Sequence, residues 1–411
     1  IDEREQICDN CGSTMVKVGE EFVRTEVQFI PAKLKVIDHY RETYECRSCR
    51  KNGTPYMEKA PVPYPPVLHS LASASTITWL IHQKFELSIP LYRQEKEWEA
   101  LGLRLSRATM SNWLLVVYRD WLVHIVHRLK LELLKQRYLH IDETHVQVLK
   151  EPGRKNTSDS YMWVYCSIRD AVNPIRYFEY QPGRSGKYPE AFLREYEGYI
   201  HTDAYSGYNA VSGVKRCLCY THLRRAFVDA LPKDIHNSEA SKPAEAILRL
   251  NQFFNIESEL EALPPDQKKK ERLIREKPLL EAFWSWAEKS AIGELPKSKL
   301  SKAFHYALNN REGFWNYLED GNCSISNSLA ENCIRPFVIG RKNWLFSGSP
   351  KGAEASAGIY TLVETAKANG LAPMKYIKYI LSDMPGSAFL EHPEYLDDYL
   401  PWNPLVKEFC R

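Results

Sequence analysis

The sequence predicts a multidomain α/β protein. A mixed-sheet core is interrupted by an all-helical insertion, and it is preceded by a cysteine-paired ribbon and a helix-turn-helix-like helical region. Three observations carry this expectation. Two C-x2-C pairs stand near the N-terminus, Cys8/Cys11 and Cys46/Cys49. From residue 138 the texture becomes strand after strand. After residue 222 it turns helical for roughly a hundred residues before a helix start leads into a basic, aromatic run, so the chain returns to the core it left.

Taken in order, residues 1–58 form the ribbon. Each C-x2-C knuckle supplies two thiolates about one turn apart, and two knuckles complete a tetrahedral Zn²⁺ site that leaves no position for water, so the metal is expected to be structural. Between the pairs, EFVRTEVQFIPAKLKVIDHYRETYEC alternates apolar and polar residues and reads as two or three strands. The segment KAPVPYPPV (59–67) is too rich in proline for helix or central strand and reads as a stiff linker.

Residues 68–136 are helical in pattern. Within LYRQEKEWEALGLRLSRATMSNWLLVVYRDWL one helix breaks at Gly102 and a second starts at Ser106, the layout of a helix-turn-helix. The second helix offers Arg107, Thr109, Ser111 and Asn112 near its start, residue types suited to phosphates and base edges. An ordinary helical hairpin gives the same pattern.

The first part of the core spans 137–236: YLHIDETHVQVL, SYMWVYCSI and IRYFEY as a strand meander, a helix-like stretch at 187–196, then the strands GYIHTDAY and VKRCLCY. The insertion spans 237–321, and its charged faces, including Lys268–Lys270 and Arg272, suit DNA ends or assembly. The core resumes over 322–352, and residues 353–411 make C-terminal helices and a Pro/Tyr-rich tail.

The chemistry is expected at Asp142 in the first core strand, Asp203 at the end of GYIHTDAY, and Glu331 in NSLAENCIRPFVIGRKNWLF. Two strand carboxylates and one helix carboxylate can converge on two Mg²⁺ or Mn²⁺ ions, the arrangement phosphodiester chemistry favours. With 52 Asp and Glu residues the bare pattern proves nothing; only the flanking residues lift it above chance. Glu143 points to the opposite strand face and is not expected in the same site. Glu331 has Arg335 one turn on, which a plain helix salt bridge also explains. Glu319, Asp320, Glu354 and Glu364 compete for the third position. The first two sit at a helix end, Glu354 follows the flexible SGSPKG segment, and Glu364 lies in a later apolar helix.

Those flanks carry a resemblance. HIDET, HTDAYSGY, CYTHLRRAF and AENCIRPFVIGRKNWLFSGSPKGAEASA, in this order, resemble the core of the insertion-sequence-66 family of bacterial DDE transposases. The likeness runs from the first cysteine pair to about residue 385, and IRPFVIGRKNWLF is its most specific block. Asn332 and Cys333 depart from the commoner family wording, Arg and Ala. The resemblance implies an RNase H-like core that cuts insertion-element ends with divalent metal and joins the freed 3′-hydroxyls to target DNA. It implies Asp142, Asp203 and Glu331 as the catalytic carboxylates, a zinc ribbon at the N-terminus, and double-stranded DNA as partner. A homo-oligomer on DNA is expected, with the need for accessory proteins left open. An RNase H-like nuclease without joining, or an inactive DNA-binding relative, are the competing functions.

Around this site His222, Arg224, Arg225, Arg335, Arg341 and Lys342 are candidates to hold phosphates, though a solvated charge explains each arginine or lysine as well, and Trp344 and Phe346 suit either stacking on an unpaired base or core packing. Cys219-x2-His222 resembles a signature of several DDE lineages. As a zinc site it lacks partners, so packing for Cys219 and a polar role for His222 are expected. The net charge of +3 does not announce a nucleic-acid binder by itself. No apolar run approaches a membrane span. The opening IDEREQ is no signal peptide, and the first residue, Ile1, suggests that residues precede it. Scattered cysteines without secretory features favour a reducing cytoplasm.

Overall fold

The computed structural model describes residues 6–29, 32–232 and 241–411, in two compact units, Ile1–Tyr40 and Arg41–Arg411. The first five residues of the ribbon, Ile30, Pro31 and the expected boundary at 236/237 lie outside the described residues.

In the first unit the Cys8–Cys11 knuckle is a tight turn. Gly12 donates to the Cys8 carbonyl (2.8 Å) at φ +71, and Cys8 donates to the Ser13 carbonyl (2.9 Å). Its one described pairing is the bridge Ile7–Thr14. Among the described residues, the two or three strands expected between the cysteine pairs do not all form. In that span the described residues contain only β1 (Thr43–Glu45), which pairs with β2 (Met57–Lys59) in the second unit. Alternation makes a strand only where one face can be buried and a neighbour can satisfy the backbone; Phe22, Val23, Val27 and Phe29 are all exposed. Between β1 and β2 lies the short helix α1 (Arg47–Lys51).

The second unit acquires a core from Pro66 onward. Helices α2 (Ala74–Ile81), α3 (Leu91–Ala100), α4 (Arg107–Val117) and α5 (Val123–Leu134) follow the proline segment, with π turns after α2 and α4. Gly102 breaks the chain at φ +89. Ser106 caps α4 by accepting from the Thr109 N–H at 3.1 Å, a contact worth about 1 kcal/mol. Trp98, Met110 and Trp113 bury the inner faces of this corner.

The sheet holds β3 (Tyr138–Val148), β4 (Asp159–Ser167), β5 (Arg176–Gln181), β6 (Gly198–Thr202) and β7 (Val214–Leu218), ordered β5-β4-β3-β6-β7. The meander is antiparallel, whereas β6 and β7 join in parallel, β6 arriving through α6 (Lys187–Phe192). The short β8 (Phe346–Ser347) pairs with the far end of β3. This is the mixed sheet of an RNase H-like core with helical insertions.

After α7 (Tyr220–Val228) come α8 (Lys242–Glu259), α9 (Pro265–Ala291), α10 (Lys299–Asn309) and α11 (Arg311–Trp315). They pack on β7 and α7 in a core of their own, around Phe227, Phe253, Phe283, Trp284 and Phe304. Arg272 does not stand on a charged face as expected; it is fully buried. Its guanidinium holds Glu257 bidentately (2.6 and 2.7 Å) and donates to the carbonyls of Tyr317, Asp320 and Cys323, which clamps the segment returning to the sheet.

The return brings α12 (Ser328–Trp344), then α13 (Pro350–Ala368), α14 (Pro373–Asp383) and α15 (Pro404–Cys410). SGSPKG is no flexible spacer: Ser349 caps α13 through the Gly352 N–H (3.2 Å) with Pro350 at the first helical position. The tail is folded as well, with Val406 and Cys410 buried and Ala372 donating to the Cys410 carbonyl (2.7 Å). Helices α2–α5 and α12–α15 share the first core with β3–β5. Among the described residues no helix is long and apolar enough to cross a membrane.

Candidate active site

Strand register brings the two aspartates together. β3 is the central strand, and its parallel pairing with β6 sets His140 opposite His201, their rings stacked 4.2 Å apart. Asp142 and Asp203 each lie two residues further on, hence on the same face of adjacent chains about 4.8 Å apart. The loop bearing Asp203 is fixed from below. Arg216, on β7, donates to the carbonyls of Asp203 (2.5 Å) and Tyr205 (2.8 Å) and to the Thr202 hydroxyl (2.7 Å). The Tyr205 N–H donates to Asp203 Oδ1 at 2.9 Å.

Glu331 arrives from the first turn of α12. The residue before that helix, Asn327, does not cap it with its side chain. Its amide instead donates to the Ile141 carbonyl (2.8 Å) and its Oδ1 meets His140 Nδ1 (3.0 Å), while its N–H donates to Cys219 Sγ (3.2 Å). Asn327 is buried, so these bonds tie the start of α12 to the backbone immediately before Asp142. Each is worth about 1 kcal/mol, and a buried group left unpaired costs about 1–3 kcal/mol.

The electrostatics follow from that crowding. Burial first, then the neighbouring Glu143, Asp203 and Glu331, push the Asp142 carboxyl up to about 7, against a single N–H donated by Glu143. Glu331 Oε1 and His222 Nδ1 are buried, have no hydrogen-bond partner among the described residues, and lie 3.7 Å apart. Contact with Cys219 raises the His222 imidazole above its ordinary value, and burial opposes this. Burial would raise the Cys219 thiol, but His222 and the Asn327 N–H hold it below its usual range.

Glu143 leaves the strand on the other side, as alternation requires, yet it is not remote from the site. Its carboxylate holds Arg184 Nη2 at 2.6 Å and accepts from the Tyr208 hydroxyl, and the same Arg184 nitrogen lies 3.9 Å from Asp203 Oδ2. Arg184 also lies over the Tyr205 ring, 4.0 Å from its centre. Sequence reasoning missed Arg184, Arg216 and Asn327. The arginines sit in loop and edge-strand segments with no motif, and Asn327 looks like an ordinary helix cap.

The competing carboxylates are engaged elsewhere. Glu319 binds Lys215 and the Tyr199 hydroxyl, and Asp320 accepts from Tyr138. Glu364 pairs with Lys367 at 2.8 Å. Glu354 lines a different cleft, with Tyr118 and Glu179.

A cleft of about 380 Å³ opens beside Asp203 and His222, lined also by Arg184, Arg225, Asp229 and Tyr306, the last from the insertion. Arg225, Arg335 and Lys342 are exposed. Arg224 is held by Asn251 (2.7 Å) and Arg341 donates to Thr144 on β3 (3.1 Å). Trp344 turns inward, edge-on to Phe337 at 5.4 Å, whereas Phe346 is exposed. Arg107 and Asn112 are exposed on α4, and the half-buried Thr109 keeps its hydroxyl against Ser106 (2.9 Å). Cys46 and Cys49 lie close enough to perturb each other's thiols, and hydrogen bonds from Ser13 and then Cys8 hold the Cys11 thiol below its usual range.

Comparison with known proteins bears on the same residues. The Transposase IS66 family matches residues 69–355, and the zinc-finger binding domain of transposase IS66 matches residues 5–50. Two uncharacterized proteins of Sinorhizobium fredii (strain NBRC 101917 / NGR234) are similar over almost the whole chain. The protein y4hP is 26% identical over 429 residues, covering 97% of this chain and 75% of its own length. The protein y4jD is 26% identical over 417 residues, covering 98% and 79%.

Proposed function

The chain belongs to the IS66 transposase family, and from this premise we propose that it cuts the ends of an insertion element and joins the freed 3′-hydroxyls to target DNA at Asp142, Asp203 and Glu331. One observation carries the reading: the Asp142 carboxyl is pushed up to about 7 by burial and by the carboxylates around it, Asp203 and Glu331 among them. Such a cluster is costly unless a cation joins it. An all-carboxylate oxygen donor set fits Mg²⁺ or Mn²⁺. When bound, two such ions activate the attacking oxygen and stabilise charge on the leaving one.

The protein's own groups do the rest. Asp142, on the central strand, would be the shared ligand of the ions, and Asp203 and Glu331 would complete their hold. Arg216 and Asn327 fix the backbones carrying Asp203 and Glu331. Arg184 and Arg225, beside the cleft, suit non-bridging phosphate oxygens, and the exposed Arg335 and Lys342 extend that basic track along α12. Exposed Arg107 and Asn112 on α4 suit contacts with duplex DNA, as in a helix-turn-helix. A structural Zn²⁺ on Cys8, Cys11, Cys46 and Cys49 rests on their spacing and on the zinc-finger match. Insertion-element ends and target DNA are the partners, with two or more copies of the chain acting together.

The test is a cleavage assay on duplex DNA carrying the element's terminal repeats. Metal-dependent nicking together with strand-transfer products supports the transposase. Nicking without joined products makes the protein a nuclease, and binding without nicking makes it an inactive relative.

A further inference from the structure

In sequence, Cys219-x2-His222 is half of a metal site with no other half. The fold supplies the missing partner. Cys219 Sγ, a ring nitrogen of His222 and a carboxylate oxygen of Glu331 all lie within 4.8 Å of one another. We propose that these three residues form a binding site for Zn²⁺ or a similar borderline-soft divalent ion, sharing Glu331 with the catalytic carboxylates but distinct from them in ligand chemistry.

Four features support this. Thiolate, imidazole and carboxylate together select zinc or cobalt over magnesium, which prefers oxygen alone. Two of the donor atoms, His222 Nδ1 and Glu331 Oε1, are buried without a hydrogen-bond partner among the described residues, a costly arrangement that an ion relieves. The sulfur accepts the Asn327 N–H at 3.2 Å, the outer-shell bond that orients a metal-bound thiolate. His222 lines the open cleft beside Asp203, so an ion has a route in, and three protein ligands leave the fourth position of a tetrahedron for water or a phosphate oxygen.

The other described His/Cys cluster lacks this availability. His201, near Cys217 and Cys323, already uses both ring nitrogens: Nδ1 meets the Leu139 carbonyl at 3.1 Å and Nε2 accepts from Ser324 at 2.9 Å.

Zinc at the proposed site draws Glu331 away from the aspartates, so it inhibits cleavage supported by Mg²⁺. That consequence rests on Glu331 being the third catalytic carboxylate; the binding itself does not. The test therefore counts metal. The full chain is equilibrated with micromolar Zn²⁺ in millimolar Mg²⁺, and bound zinc is measured by elemental analysis. Wild type is expected to hold two zinc ions, one of them in the N-terminal finger. Cys219→Ser should hold one, and Asp142→Asn should still hold two. If Cys219→Ser keeps both, or wild type holds one, the site does not exist. Loss in Asp142→Asn but not in Cys219→Ser puts the ion on the aspartates and overturns the proposal while leaving the catalytic assignment standing. A second measurement guards against misfolding of the serine variant. In a chain with all four finger cysteines changed to serine, Co²⁺ should give thiolate charge-transfer absorption. That band should disappear when His222→Asn is added, and its persistence would mean that another cluster binds the metal.

Discussion

Two regions of this molecule carry side chains of metal-binding type, and they do so in opposite ways. Before Pro66 none of the described residues is buried, so the four finger cysteines precede any core that could hold them. A structural zinc site supplies folding energy outright. The acidic cluster is built instead around Asp142, on the central strand of a sheet whose neighbours Leu139, Ile141, Trp163 and Val164 are fully buried. There the packing comes first and holds like charges together at a cost. On the proposed reading, one region would need its metal to fold and the other would need it to react.

Breaking the second region's chemistry should leave its structure intact. Asp142→Asn is expected to lower Mg²⁺-dependent cleavage and strand transfer on the order of 10³-fold, since each 1.36 kcal/mol lost at the transition state is a factor of ten and a bound metal contributes several kcal/mol. The same change removes a charge that burial and its neighbours disfavour, so the thermal midpoint at pH 8 should hold or rise. A variant that cuts at a comparable rate, or melts well below wild type, would put Asp142 in a structural role.

Breaking the first region should do the reverse. Cys46→Ser, or a chelator, is expected to weaken zinc retention by roughly 100-fold or more. Amide exchange over residues 6–59 should then become fast while β3 stays protected. Binding to terminal-repeat DNA should fall along with the zinc. Slowed exchange in that segment without zinc would show that it has a core of its own.

A smaller effect tests how the packed region aims its third carboxylate. Asn327→Ala removes the bonds to Ile141 and His140 and should cost about 1–3 kcal/mol of stability. If that joint positions Glu331, cleavage at saturating Mg²⁺ should fall about tenfold. The metal concentration for half-maximal rate should rise too, which a purely structural loss would not move. An unchanged metal requirement would mean that Glu331 is held by its helix alone.

What the sequence revealed divides along the same line. The sheet was legible because its strands are apolar runs bounded by turns, and Ser106 and Gly102 marked the α3–α4 corner by local chemistry. Asp142, Asp203 and Glu331 were singled out through their flanks, and the fold sets Asp203 and Glu331 near Asp142. The alternation of residues 21–46 misled because periodicity implies a strand only when something covers one face. Arg272 read as a surface charge because its partners, Glu257 and three carbonyls between 317 and 323, meet it only in the folded insertion. Arg184 and Asn327 escaped for the same reason: each acts through contacts with residues far away in sequence, Asp203 and Glu143 for one, Ile141 and His140 for the other.

The insertion offers the sharpest control for the comparison, because it holds a second carboxylate that is pushed up to about 7, like Asp142, but away from the proposed metal site. Glu276 on α9 is fully buried and is pushed up to about 7, first by burial and then by Glu257, with Tyr317 and Arg272 opposing. Its Oε2 accepts from the Tyr317 hydroxyl at 2.7 Å, and its Oε1 has no partner among the described residues. Its folded value lies above the unfolded one, so its contribution to stability is fully present below about pH 4.5 and is lost as pH rises through 7. Glu276→Gln keeps an acceptor for Tyr317 and carries no charge. It should match wild type at pH 4.5 and gain about 1–2 kcal/mol at pH 8, read from urea midpoints at constant slope. Adding Mg²⁺ should leave that difference unchanged, whereas it should erase any advantage Asp142→Asn shows over wild type. Equal effects of Glu276→Gln at both pH values would mean that the buried charge is compensated in the insertion, and the contrast between a carboxylate awaiting metal and one merely buried would collapse.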